Sequence, residues 1–125
     1  MSVGARGERV IETENGEVRI LFTNRALANA EAQLNRGVFE VLTDLQSGGR
    51  IGDVAVLLQA SMEAARRDAR EGGKPVSLAR AYEVLDDVGY AAAAIAVVEA
   101  VAEVVSYTRE GDAGIPLTGD GADPN

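Results

Sequence analysis

Glu8-Arg-Val-Ile-Glu-Thr-Glu14, then Asn15-Gly16, then Glu17-Val-Arg-Ile-Leu-Phe-Thr23 is the stretch that decides the fold class. Two β-prone runs separated by Asn-Gly form a strong short-range hairpin signal, because a type I′ turn needs positive φ at both central residues. Val18, Ile20 and Phe22 alternate with Glu17, Arg19 and Leu21, which predicts a second strand with one mainly apolar face. An isolated hairpin is marginal in water, so that face is expected to pack on the helices. From Asn24 onward the chain reads as a succession of helices. The expected fold is mainly α: an N-terminal β-hairpin (9–23) leading into a four-helix single domain, or five helices if one of them divides.

Thr23 or Asn24 can cap the first helix by accepting a bond from its free N–H groups. Leu27, Ala30, Leu34, Val38, Val41, Leu42 and Leu45 then recur at three- and four-residue steps and make one apolar stripe. Gly37 interrupts it at a cost of about 1 kcal/mol relative to Ala, which predicts a kink or a division there. Ser47-Gly48-Gly49 ends the stripe. The next helix is expected from about Gly52 to Arg70, with Asp53 in the first turn, where the helix dipole favours a carboxylate. Its buried face is Val54, Leu57, Leu58, Ser61, Met62 and Ala65, and Arg66, Arg67 and Arg70 occupy its last turns. After the Gly72-Gly73-Lys74-Pro75 loop, Ser77 is a good N-cap for a short helix. Leu78, Ala81, Tyr82, Leu85 and Val88 are expected to face inward from it, with Gly89 as its terminator. A last helix covers about Tyr90 to Tyr107. The domain is thus expected over 9–109, between a flexible Gly-rich start (1–8) and a disordered acidic, Gly-containing tail (110–125).

The last helix has a thin polar face. At roughly 100° per residue, Ala91, Ala94, Ile95, Val98, Ala102 and Val105 form one apolar side, while Glu99 and Glu103 mark solvent. A second strip, Val97, Val101 and Val104, lies between them, next to Ala93 and Ala100. Helices apolar nearly all round are usually buried, so one reading makes the helix central. The other makes Val97, Val101 and Val104 an exposed partner-binding patch, for another subunit or a client.

Composition narrows the function classes. The 125 residues suffice for one domain. Apolar residues make up 46% and aromatics only 4%, so the core must be built from Ala, Val, Leu and Ile. A formal charge of −8 argues against nucleic acid, where phosphate contacts need clustered cations, and against anionic membranes. Cys and His are both absent. That excludes disulfides, thiolate metal sites, the Ser-His-Asp triad and the commonest general base. No signal peptide or spanning run is evident, so a cytoplasmic protein is expected.

The local clusters carry little chemistry. Gly48-Gly-Arg-Ile-Gly52 resembles a phosphate loop only superficially, following a helix and lacking the Lys-Ser/Thr ending. Asp86-Asp87 with Glu83 reads as a solvated face. Asp120, Asp123 and Asn125 lack calcium-loop spacing. Arg66, Arg67, Arg70 and Lys74 read as a helix C-terminus paired with Glu63, Asp68 and Glu71. An acyl carrier would need Asp-Ser-Leu at a helix start; Ser61 is mid-helix and Ser77 lacks the Asp. No catalytic residue, cofactor or metal is expected, and an enzyme is the least favoured class.

In order and spacing, several stretches together resemble the tail assembly chaperones of long-tailed phages and gene transfer agents. These are Phe22-Thr-Asn-Arg-Ala-Leu27, Glu31-Ala-Gln-Leu-Asn-Arg-Gly-Val-Phe-Glu-Val-Leu42 and Asp53-Val-Ala-Val-Leu-Leu58, then Ser77-Leu-Ala-Arg-Ala-Tyr-Glu-Val-Leu-Asp86 with Gly89-Tyr90. The resemblance covers about residues 17–107 and departs from the family at Gln59, where relatives often carry an aromatic. It implies a protein of the bacterial host cytoplasm that coats the long, helical tape measure protein, recruits tail tube subunits and is absent from the mature particle. It also implies that a longer frameshifted product is common in relatives. A structural head–tail component retained in the particle and a small bacterial adaptor remain as alternatives, and the resemblance leaves open whether the chain forms a homo-oligomer.

Overall fold

A computed structural model of the chain describes residues 6–107. Most of the expected loose start, and the whole of the expected tail, lie outside the described residues. Strands β1 (Gly7–Thr13) and β2 (Gly16–Phe22) form an antiparallel hairpin with Ile11 opposite Val18 and Gly7 opposite Phe22. Five helices come after it: α1 (Asn24–Leu34), α2 (Val38–Gln46), α3 (Ile51–Asp68), α4 (Leu78–Val88) and α5 (Tyr90–Val105). The fold is mainly α with an N-terminal hairpin.

The hairpin turn differs from the type I′ expectation. Thr13 pairs with Gly16, and of the turn residues only Gly16 has positive φ, at 117°. Asn15 keeps negative φ because the Thr13 hydroxyl accepts its N–H (3.1 Å) and donates to the Gly16 carbonyl (2.6 Å). The left-handed requirement therefore falls on the glycine alone. The Glu14 N–H donates to Asp87 at the end of α4, pinning the turn to the helical layer.

Strand β1 starts two residues before the expected hairpin boundary because Gly7 sits against α5. A Cβ on Gly7 would lie 1.9 Å from the Ala100 carbonyl oxygen, so only glycine permits this approach of strand to helix. Two residues on, Arg9 donates to Glu99 (3.4 Å) and Glu103 (3.0 Å) on α5.

The first predicted stripe divides into α1 and α2, but the turning residue is not Gly37. Asn35 takes the left-handed conformation (φ 56°) and its N–H caps the Glu31 carbonyl. Gly37 is the extended N-cap of α2. The Glu31 side chain reaches over the break and accepts from the Val38 N–H at 2.7 Å. Arg36, in the same turn, donates to Asp44 on α2 and to the buried Asp53 in the first turn of α3 (2.7 Å). Asp53 is thus both at the positive end of its helix and paired with a cation.

Helix α3 is the centre of the core. Every residue expected on its buried face is buried, and Ala55 and Ala60 join them. It packs against β2, α1, α4 and α5. Residues of α4 divide less cleanly. Ala81, Val84 and Leu85 are buried, whereas Leu78 and Tyr82, expected inside, are exposed. The inward row is the i, i+3, i+4, i+7 set Ala81, Val84, Leu85 and Val88, and Leu78 and Tyr82 fall on its flank. Ser77 caps α4 as expected, accepting from the Arg80 N–H. Between α4 and α5 the chain turns by 116° at Gly89, whose φ of 91° and ψ of 152° belong to glycine.

Glu63 holds the α3–α4 connection. Its two oxygens accept from Arg66 Nε and Nη2 (2.9 and 2.8 Å), Arg67 Nε (2.8 Å) and the backbone N–H of Val76 (2.8 Å). These donors, Arg66 foremost, hold the carboxyl at about 2, below its ordinary 4.5. Because the folded value is depressed, its contribution is fully present above pH ~4.5 and is lost as pH falls towards about 2. Glu63→Gln is expected to cost about 2 kcal/mol near neutral pH, as loss of a charge-assisted cluster does. Urea unfolding of both proteins from pH 7 down to pH 2 checks this, with the gap between them closing only below pH ~4.5.

Candidate interaction surface

Helix α5 begins at the Gly89 corner and is held along two sides. Its carboxylate side meets β1 through Arg9. On the other side α2 runs beside it in the opposite direction. The Tyr90 hydroxyl donates to the Gly48 carbonyl just beyond the end of α2 (3.2 Å). At the other end Val38 and Phe39, at the start of α2, share a groove of about 450 Å³ with Val104, Val105 and Tyr107. A side chain at Gly49 would displace the Tyr90 hydroxyl, 2.4 Å from where its Cβ would lie, and would have to adopt the left-handed φ of 68° found there.

The structure decides between the two apolar strips of α5, and it reverses the assignment that the patch reading required. Val97, Val101 and Val104 are buried with Ala93 and Ala100 against the hairpin and α3. They are core residues and form no exposed patch. The physical reason is the β1 approach: the inward row is the one that places Ala100 under Gly7. The open strip is the other one. Ile95 is 59% exposed, Ala91 and Ala102 are exposed, and Ala94, Val98 and Val105 are partly exposed. At the α2 end it is continued by Phe39, 67% exposed. None of the six α5 side chains in this strip has a hydrogen-bonding atom. Covering what remains exposed of Ile95 and Val98 would contribute a part of the about 1.5–3 kcal/mol that full burial of such a side chain is worth.

Several of the polar residues singled out in the sequence are engaged within the fold. Ser61 is fully buried and donates to the Leu58 carbonyl, and Glu83 pairs with Arg80. Arg66 and Arg67 serve Glu63, whereas Asp68 pairs with Arg6 and Arg19 across the hairpin rather than with its own helix. Arg19, then Arg6, lowers the Asp68 carboxyl below its usual range. The glycines of Gly48-Gly49 form the turn that receives Tyr90. Among the described residues no group of three or more Asp or Glu is placed to hold a metal ion, and no single helix is long and apolar enough to cross a membrane. A groove of about 340 Å³ between α1 and α3 is lined by Leu21, Ala26, Ala60 and Ala64, with Glu63 and Arg67 at its edge already bonded to each other.

No family model, curated protein or solved structure matches this chain.

The sequence displays both strips but does not orient them, because Val/Ala and Ile/Val/Ala rows of similar hydrophobicity flank one helix. The pair Gly7 and Arg9 is the signal that orients them: a glycine and a cation two residues apart on a strand, matching Ala100 and Glu99/Glu103 on the helix. Single substitutions separate the two rows. Val101→Glu places an unpaired carboxylate in the core and should cost at least about 3 kcal/mol, with loss of cooperative thermal unfolding. Ile95→Glu should change stability by less than about 0.5 kcal/mol in the same measurement.

Proposed function

We propose that this chain is a binding protein of the tail assembly chaperone type. In this reading it transiently covers the apolar helix faces of a tape measure protein, helps recruit tail tube subunits, and leaves before the particle matures. It works in the host cytoplasm and catalyses no reaction. The observation that carries the proposal is the open strip of α5, four helical turns long and without a polar atom, on a chain of net charge −8. Exposed contiguous apolar surface on an otherwise charged protein marks an interaction site, and the high net charge keeps such a protein dispersed while it holds an aggregation-prone client.

Further support comes from the residues that carry the family resemblance, several of which have a physical role. Thr23 caps α1, accepting from the Ala26 N–H. Asn35 turns the chain at the α1–α2 break, Gly37 is the N-cap of α2, and Glu31 is bonded across the break. Ser77 caps α4 and Gly89-Tyr90 makes the corner and the Gly48 contact. These positions set the placement of α2 and α5, and so the shape of the strip between them. The absence of Cys and His from the chain fits a role that needs surface rather than a nucleophile or general base.

Co-expression with the tape measure protein tests the proposal. The chain is expected to keep that client in the soluble fraction, and Val98→Glu combined with Ile95→Glu is expected to lose this while the chain itself stays folded by circular dichroism. A client equally insoluble with and without the wild-type chain, or one rescued equally by the double variant, would overturn it. Purified particles containing the chain in stoichiometric amounts would assign it to the structural alternative instead.

A further inference from the structure

Resting on this binding role, we infer that the occupant of the α5 strip is an amphipathic helix with lysine or arginine along one flank, rather than an extended segment or a second copy of this chain. Three features of the surface lead there.

The strip itself offers no hydrogen bond. Its side chains are Ala, Val and Ile, and the backbone groups beneath them are used within α5. An extended peptide laid on it would bury N–H and C=O groups without partners, each costly. A helix satisfies its own backbone and lays a stripe of side chains along the strip. From Ala91 to Val105 the strip is about 21 Å long at 1.5 Å per residue, which matches four turns of a partner helix.

The two rims of the strip differ in charge. On one side stand Glu99 and Glu103, which share the guanidinium of Arg9, so that among the described residues two carboxylates face one cation. On the other side α2 turns its carboxylates away: Glu40, Asp44 and, beyond it, Asp53 of α3 all gather around Arg36. At about 100° per residue, the flank of α2 opposite these carboxylates carries Phe39, Leu42 and Gln46, which are uncharged, and Phe39 shares the groove with Val105. A partner helix with cations on one flank satisfies the Glu rim in one orientation only, which gives direction as well as affinity.

A second copy does not fit this rim. Twofold pairing of the strip with itself sets the Glu rim against another Glu rim when the helices run antiparallel, and against the uncharged rim when they run parallel. Neither brings a cation other than Arg9, which is already held by the Glu99 and Glu103 of its own copy. Residues 110–125 of the same chain supply none either, with carboxylates at Glu110, Asp112, Asp120 and Asp123 and no Lys or Arg.

Two synthetic peptides test the inference on the full-length protein by fluorescence anisotropy. Both are helices about 16 residues long, to match the strip, with the same Leu/Ala stripe, one flanked on one side by Lys and the other by Glu. The Lys-flanked peptide is expected to bind at least about tenfold tighter at about 50 mM salt, with the preference shrinking at about 0.5 M salt. Glu99→Gln with Glu103→Gln should reduce the preference to less than about threefold, and Ile95→Glu should abolish binding of both. Equal affinity of the two peptides, preference for the Glu-flanked one, absence of binding by either, or binding indifferent to Ile95→Glu would each overturn it. A dimer of the protein alone that dissociates on Ile95→Glu, seen by sedimentation, would put a second copy on the face and also overturn it. The outcome is separable from the tail-assembly proposal. Selective capture of the Lys-flanked peptide with no effect on the tape measure protein sinks only that proposal, whereas client rescue with indifferent peptide binding sinks only this one.

Discussion

The contact between Gly7 and Ala100 is the constraint that sets the rest of the arrangement. A strand backbone lies so close to a helix backbone that a single methyl group would overlap the Ala100 carbonyl. That approach fixes the rotation of α5 about its axis. With Ala100 turned to the sheet, Ala93, Val97, Val101 and Val104 must point into the core, and Glu99 and Glu103 come within reach of Arg9. The remaining apolar row, with Ile95 and Val98, is then left facing away from the hairpin, beside α2. One close backbone contact at the start of the chain thereby determines which surface a helix near its end presents.

The elements around that contact are held by a few carboxylates that each reach across a break. Glu31 closes the gap between α1 and α2, Asp53 ties the same turn to α3 through Arg36, Glu63 fastens the loop before α4, and Asp87 receives the hairpin turn. Charge-assisted bonds of this kind are stronger than neutral ones and specify geometry, which apolar packing of small aliphatic side chains does poorly by itself. In a core of Ala, Val, Leu and Ile with few aromatics, these ties supply much of the positional information.

Much of this architecture is legible in the amino-acid pattern. The hairpin, the division near Gly37, the Thr23 and Ser77 caps and the buried row of α3 all obey local rules, because capping and periodicity act within a few residues. The departures have a common cause. Periodicity alone turns Leu78 and Tyr82 inward, and Asn15-Gly16 alone calls for a type I′ turn; the flank position on α4 and the Thr13 hydroxyl override them. The largest reversal, at Val97, Val101 and Val104, arises because a helical wheel with two apolar rows carries no information about direction. That information sits some ninety residues away in Gly7 and Arg9. Long-range contacts are where local reasoning stops.

The orientation of α5 is therefore the claim on which the site and its proposed partner rest, and thiol accessibility measures it directly, since the chain has no native cysteine. Single Ile95→Cys and Val101→Cys variants of the full chain would be reacted with a water-soluble thiol reagent under native conditions. With Ala100 seated under Gly7, the thiol at position 95 reacts at close to the unfolded rate, while the one at position 101 is slowed at least about a hundredfold, as for a group reached only through unfolding. Equal rates at the two positions, or faster labelling at 101, would contradict this orientation.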